Sequence, residues 1–146
     1  MPIAADVIHV LLGREPASRE DAIGMIGEFM VARGDVTRRY VEGMWEKEAR
    51  HGTWLTEGVA LPHGTGEVKG EIRRSSLVVL QMPKGVDWGG KTVYLAFGVA
   101  GRGDNEHLRL LSSLAAVLVS KELVERMIHA TDPQEVMAIL SGEGGA

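Results

Sequence analysis

Apolar positions along the chain change their period twice, dividing it into helical ends and a strand-forming middle. Ile8 to Leu12 is a short apolar run stopped by Gly13. Ser18 then opens a helix, with Glu20 and Asp21 suited to its positive end. Ala22, Met25, Ile26, Phe29 and Met30 recur at three- and four-residue spacing as its expected buried stripe, and Gly34 ends it. Thr37 is placed to cap a second helix, with Tyr40, Val41 and Met44 on one face and an end near Gly52. The period then shortens. Gly58-Val59-Ala60-Leu61-Pro62 reads as a short buried strand that must stop at the proline. Leu77 to Leu80 and Val93 to Phe97 are continuous apolar runs of strand length, with Pro83-Lys84-Gly85 read as a turn between them. Asp104 or Asn105 is placed to cap a third helix from Glu106 to about Val119. That helix is apolar over most of its circumference, apart from Arg109, Ser112 and Ser113, so deep packing is expected. Shorter helices follow at Lys121–His129 and Pro133–Leu140, the second with Asp132 as N-cap and a proline at its first position. Helices on either side of fully buried strands predict the α/β class, a mixed, mostly buried sheet with helices packed on both faces.

Composition narrows the functions this framework can serve. The 146 residues suit one domain over 1–146, with the Gly-rich tail 142–146 expected to fray. A net charge of −4 gives no general pull toward nucleic acid or anionic lipid. Seven aromatic residues are too few for a base-stacking platform. The longest apolar run, Leu114 to Val119, is six residues and far short of a membrane span, so no direct membrane insertion is expected. The start carries Asp6 and no basic stretch, so no signal peptide is expected. Cysteine is absent, which excludes disulfides, a thiolate nucleophile and sulfur-ligated metals and fits a reducing, cytoplasmic compartment. Two features remain unusual: five histidines, and nineteen glycines of which eleven fall between Gly52 and Gly103.

The histidines separate by local context. His51 and His129 each close a helix, where the dipole favours imidazole, and His9 sits in a strand-like start that suggests a surface or hydrogen-bonded core role. His63 differs. It follows Pro62 at the end of a buried strand, where ligands bind in open α/β sheets, and precedes Gly64-Thr65-Gly66. Those glycines allow backbone N–H groups close to an anion, and Thr65 adds a hydroxyl. His107 falls in the expected first turn of the third helix, where the dipole disfavours a cation and keeps the ring neutral beside anion-holding amides. Together they could form a phosphoryl site. Physics alone leaves open the alternative of two unrelated polar histidines.

Other motifs carry less. Gly98-Val99-Ala100-Gly101-Arg102-Gly103 lies between a strand and a helix and hints at a dinucleotide loop, but Glu106 stands where its third glycine should be. Phosphate-loop lysine pairs, nucleophile-elbow serines and His-Glu-x-x-His metal motifs do not occur, so neither cofactor nor metal is called for. Arg38, Arg39, Lys47 and Arg50 read as a solvated helix face, not a nucleic-acid patch.

Gly58-Val59-Ala60-Leu61-Pro62-His63-Gly64-Thr65 resembles the active-site signature of the enzyme IIA domains of the bacterial phosphoenolpyruvate:sugar phosphotransferase system, of the mannitol/fructose type. The resemblance extends through Met82-Pro83-Lys84-Gly85-Val86 and Asn105-Glu106-His107-Leu108, covering roughly residues 8 to 140. It implies the mannitol-type enzyme IIA fold and a protein-histidine phosphocarrier needing no cofactor. His63 would accept a phosphoryl group from phospho-HPr and pass it to a cysteine on an enzyme IIB domain of a sugar permease, favouring Nε2. His107 would help hold the phosphate, with Gly64 and Thr65 as further contacts. The family pairs an arginine in the second helix with a glutamate shortly before the histidine; the matching positions are Lys47 and Glu57. Lysine keeps the charge and loses the bidentate fork, and Arg50, one turn on, is a candidate substitute. Two other readings stay open: a regulatory, nitrogen-type enzyme IIA, and a non-catalytic nucleotide-binding module built on the Gly98–Gly103 loop.

Overall fold

The computed structural model describes residues 2–142. Five strands form one mixed sheet in the order β1 (Ile8–Leu11), β4 (Ser76–Trp88), β5 (Lys91–Ala100), β3 (Gly58–Ala60) and β2 (Trp54–Thr56). β1 runs parallel to β4 and β3 parallel to β5, whereas β4–β5 and β2–β3 are antiparallel. Helices α1 (Arg19–Ala32) and α2 (Arg38–His51) pack on one face. Helices α3 (Gly103–Leu118), α4 (Lys121–Ile128) and α5 (Pro133–Ser141) pack on the other. Because side chains alternate along a strand, Val78 and Leu80 enter the α1–α2 core while Leu77 and Val79 enter the opposite one. Both sets are fully buried, which is why β4 reads as a continuous apolar run.

Helix starts follow their local chemistry. Ser18 Oγ accepts the Asp21 N–H at 3.1 Å, and Asp132 Oδ1 accepts the Gln134 N–H at 2.9 Å. Thr37 stands at the N-cap of α2, but its hydroxyl is drawn to Glu71 Oε1 at 2.6 Å instead of capping.

Four sequence expectations shift. The α1 stripe runs through Ala22, Ile23, Ile26 and Met30; Met25 is exposed and Phe29 only half-buried, so the buried face is rotated by part of a turn. Pro83-Lys84-Gly85 is not a turn: β4 continues through it with a register irregularity between Gln81 and Val86. Proline is tolerated there because β1 pairs only with Leu77–Leu80, leaving that edge free of a partner strand. The hairpin turn is Gly89-Gly90, whose φ values of 66° and 96° suit the mirror-image turns that tight hairpins prefer. β2, a short exposed edge strand, carries no apolar alternation and was not expected.

The fourth concerns α3. It opens at Gly103, without a side-chain cap from Asp104 or Asn105, and it is not deeply packed. Leu110, Leu114 and Leu118 make one buried stripe, whereas Leu108 and Ala115 face solvent. Apolar composition around a helix does not force burial when only one face of the sheet is available to cover it. Of the tail, Gly142 is the left-handed C-cap of α5 at φ 82°, and residues 143–146 lie outside the described residues.

Candidate functional site

The site grows from the carboxyl ends of the parallel pair β3 and β5. After Ala60 the chain makes one more rung: Val99 N–H donates to Pro62 C=O at 3.0 Å, opposite His63. Leu61 is held on its other side, its N–H donating to Thr53 C=O at 2.8 Å. The Leu61 carbonyl lies 2.7 Å from His63 Nδ1. A carbonyl oxygen only accepts, so Nδ1 carries the proton and Nε2 keeps an unshared electron pair. The backbone thus selects the tautomer.

His63 is half-buried, and burial holds its pKa below the ordinary 6.5; the charges of Lys47 and His107 push the same way, against the Leu61 carbonyl and Glu48. The ring is therefore neutral at pH 7. His107 faces it at 6.4 Å between ring centroids, tilted by 48°. Because α3 begins at Gly103, His107 stands one turn into the helix and not in its first turn. Gly101 makes the approach possible: a Cβ there would lie 2.3 Å from His107 Cα, so only glycine lets the strand end pass so close to α3.

The two imidazoles share a cleft of about 690 Å³ with Tyr40, Lys47, Thr65, Lys69 and Arg102. Three cationic side chains at one opening suit a small dianion. Lys69 is partly engaged by Asp104 at 3.5 Å. Thr65 Oγ1 is buried and has no hydrogen-bond partner among the described residues, so it can donate to an oxygen entering the cleft.

Several candidate residues fall elsewhere. The Gly64 amide is not free for an anion, since it donates to the Tyr40 hydroxyl at 3.0 Å. Glu57 is exposed between β2 and β3 and lines a different depression with Trp54 and Lys91. It forms no ion pair with Lys47 among the described residues. Arg50 does not replace the family arginine: its guanidinium pairs with Glu46 at 3.6 Å and Glu67 at 3.3 Å on the surface. The Gly98–Gly103 stretch is not one loop: Gly98–Ala100 finish β5 and only Gly101–Gly103 reach the cleft. Gly98 lies inside β5, where a Cβ would meet Ile26 Cγ2 at 2.3 Å, so its glycine serves helix–sheet packing.

His51 ends α2 and His129 caps α4, as their contexts suggested; His129 adds a 3.2 Å contact to Glu125. His9 packs on Phe29, with ring centroids 5.5 Å apart.

Four site residues went unread in the sequence: the cleft cations Lys69 and Arg102, and Tyr40 and Glu48. Tyr40 counted only as part of an apolar stripe, although a buried tyrosine must satisfy its hydroxyl. Glu48, beside Lys47, is a buried carboxylate that accepts from Thr53 N–H at 3.2 Å, from the Thr53 hydroxyl and from Trp88 Nε1 at 3.1 Å, and pairs with Arg19 at 3.5 Å. It braces the residue whose carbonyl holds Leu61.

Fold and cleft together define an α/β protein with a neutral, surface-reachable histidine in a cationic recess. The chain belongs to the family described as phosphoenolpyruvate-dependent sugar phosphotransferase system, EIIA 2, whose model matches residues 5–143. It is 36% identical over 134 residues to the mannitol-specific phosphotransferase enzyme IIA component of Bacillus subtilis, covering 91% of this chain and 93% of that one. Among solved structures it superposes on the Escherichia coli complex of enzyme IIA and phosphorylated enzyme IIB for mannitol with a TM-score of 0.85, at 36% identity over 96% of this chain and 97% of that one. The crystal structure of the mannitol IIA from Escherichia coli gives a TM-score of 0.82 at 35% identity, covering 96% and 99%. No helix among the described residues is long and apolar enough to cross a membrane.

Proposed function

We propose that residues 1–146 act as one phosphocarrier unit serving uptake of mannitol or a related sugar. Nε2 of His63 attacks the phosphorus of phospho-HPr; the new N–P bond forms as the donor's N–P bond breaks, its electron pair returning to the donor ring. Nδ1 keeps its proton throughout, so no base is required. In the second step a cysteine thiolate of an enzyme IIB domain takes the phosphoryl group, and Nε2 recovers its electron pair. The phosphoryl group brings about −2 charge near neutrality, against one positive charge on a ring that keeps its Nδ1 proton. Lys47, Arg102, the Thr65 hydroxyl and His107 are placed to balance it, without the Gly64 amide. Catalysis here is positioning and charge stabilisation.

The observation that carries this reading is the 2.7 Å contact from His63 Nδ1 to the Leu61 carbonyl, which leaves Nε2 as the reacting atom in a cationic cleft. A donor charged from phosphoenolpyruvate sets a cytoplasmic location. The test is incubation with phosphoenolpyruvate, enzyme I and HPr, followed by intact mass. The expected result is one acid-labile phosphoryl group, absent in His63→Ala. No gain under conditions that load a known enzyme IIA overturns the proposal. Onward transfer to a mannitol-type enzyme IIB then tests the sugar assignment.

A further inference from the structure

A parallel ladder repeats a simple rule: the residue opposite a strand position donates to the carbonyl before it and accepts from the amide after it. Val99 obeys the first half opposite His63, donating its N–H to Pro62 C=O at 3.0 Å. The second half should be Gly64 N–H to Val99 C=O. Instead a side chain stands in the rung. Gly64 N–H donates to the Tyr40 hydroxyl at 3.0 Å, and that hydroxyl donates to Val99 C=O at 2.8 Å. The phenol oxygen pushes the chain off the sheet one residue after His63, and the loop Gly64–Gly66 departs from there.

Two further features show that the insertion is built. Tyr40 is 2% exposed and its phenol is pushed up to about 12 by burial, so it stays a donor at any working pH. Gly64 is the only residue type that fits, since a Cβ would meet Tyr40 Cε1 and Val68 Cγ2, each at 2.7 Å.

We infer that Tyr40 is a positioning residue for phosphoryl transfer: its hydroxyl replaces one backbone rung, ends the β3–β5 ladder at His63, and thereby fixes how the imidazole faces the cleft. The inference rests on His63 being the phosphoryl acceptor, but its geometric half is measurable without any transfer. Tyr40→Phe removes one oxygen and keeps the ring.

In the unaltered chain the Gly64 amide should exchange with solvent on the order of tenfold or more slowly than the Gly66 amide, as the hydroxyl contact demands. In Tyr40→Phe, Gly64 exchange should accelerate on the order of tenfold or more, with the Val99 amide still protected. The ¹⁵N shifts of the His63 ring should move toward a mixture of tautomers, while those of His9 and His129 stay put. Loading by saturating phospho-HPr should slow about tenfold to a hundredfold with little change in the half-saturating concentration, since small misplacements are costly in in-line transfer. An unprotected Gly64 amide in the unaltered chain overturns the inference even if the variant does not fold. So does a variant with faster Gly64 exchange and normal loading, or one with slow loading and unchanged exchange. If the unaltered chain itself does not load, the phosphocarrier reading fails, and the exchange and ring-shift results alone decide the role of Tyr40.

Discussion

The two ends of the β3–β5 pair carry similar ingredients and different outcomes. At the carboxyl end lie His63, His107, Tyr40 and Lys47; at the amino end a larger depression, about 1130 Å³, holds His129, Tyr94, Lys91 and Glu57. Each has imidazole, phenol and ammonium groups. At the amino end the imidazole and the ammonium are held by exposed side chains: His129 contacts Glu125 one helical turn away, with 74% of its side chain exposed, and Lys91 Nζ sits 4.5 Å from the Trp54 ring centroid. Such contacts between exposed side chains are worth little. At the carboxyl end they are held by backbone: the Leu61 carbonyl for His63, the Gly64 amide and Val99 carbonyl for Tyr40. Reactive residues need a rigid frame, and exposed strand ends supply it where neighbouring helices close the recess. Cavity size is a poor guide here; the larger depression holds its imidazole only through an exposed side-chain pair.

Several measurements would break or sharpen that contrast. The largest expected effect is at the imidazoles themselves: His63→Ala should lose phosphoryl loading completely, whereas His129→Ala should load as the unaltered chain does, both read by intact mass. Loading of His129→Ala reduced to background would erase the distinction between the two ends.

His107→Ala should still load, while transfer to enzyme IIB slows on the order of a hundredfold to a thousandfold, the scale for losing one stabilising donor. Unchanged transfer kinetics would return His107 to a packing role.

A smaller effect should come from the glycine that brings the rings together. Gly101→Ala forces α3 outward and should cost about 1–3 kcal/mol in denaturant unfolding. Gly70→Ala, where nothing lies within 4 Å of an added Cβ, should be close to neutral. Equal stabilities for the two variants would show that the approach of α3 is not tight.

The smallest effect is electrostatic. Lys47→Met should raise the His63 pKa, because a neighbouring cation now lowers it, and Lys47→Arg should leave it nearly unchanged; an NMR titration reads both. The same shifts tie folding to pH. His63 and His9 both titrate below 6.5 in the folded chain, in each case first through burial. Well above pH 6.5 both rings are neutral folded or unfolded and add no pH dependence. As pH falls below 6.5 the unfolded chain takes up protons that the folded sites resist, so stability should decline from there until the folded pKa values are passed. A midpoint that rises between pH 6.5 and 5.5 would contradict the burial of these rings.

Much of this was visible in the chain. Ser18 and Asp132 announce helix starts because a short oxygen-bearing side chain can reach an unpaired amide within one turn, a purely local matter. Leu77–Leu80 announces a two-sided strand because both faces must leave water. His63 stood apart from His51 and His129 because its neighbours, Pro62 and Gly64, end a strand and not a helix. The misreadings are of another kind. Pro83 looked like a turn because its tolerance depends on whether β1 reaches that far along β4. Met25 and Leu108 looked buried because the pattern shows which residues are apolar and not which side of a helix meets the sheet. Glu57 looked like a partner for Lys47, yet it faces the opposite end of the strands.

What the sequence determined by itself is therefore the helices and the buried strand cores, the α/β class and the histidine at the strand end, set largely by interactions spanning a few residues. Tertiary structure decided what surrounds that histidine and how the chain leaves the sheet after it. The Nδ1 contact to Leu61 spans only two residues, but the amide withdrawn from the cleft by Tyr40 and the bonds that Trp88 and Arg19 make to Glu48 join distant parts of the chain. Such hydrogen bonds have fixed length and direction, so they exist only once the sheet and helices have set the distances.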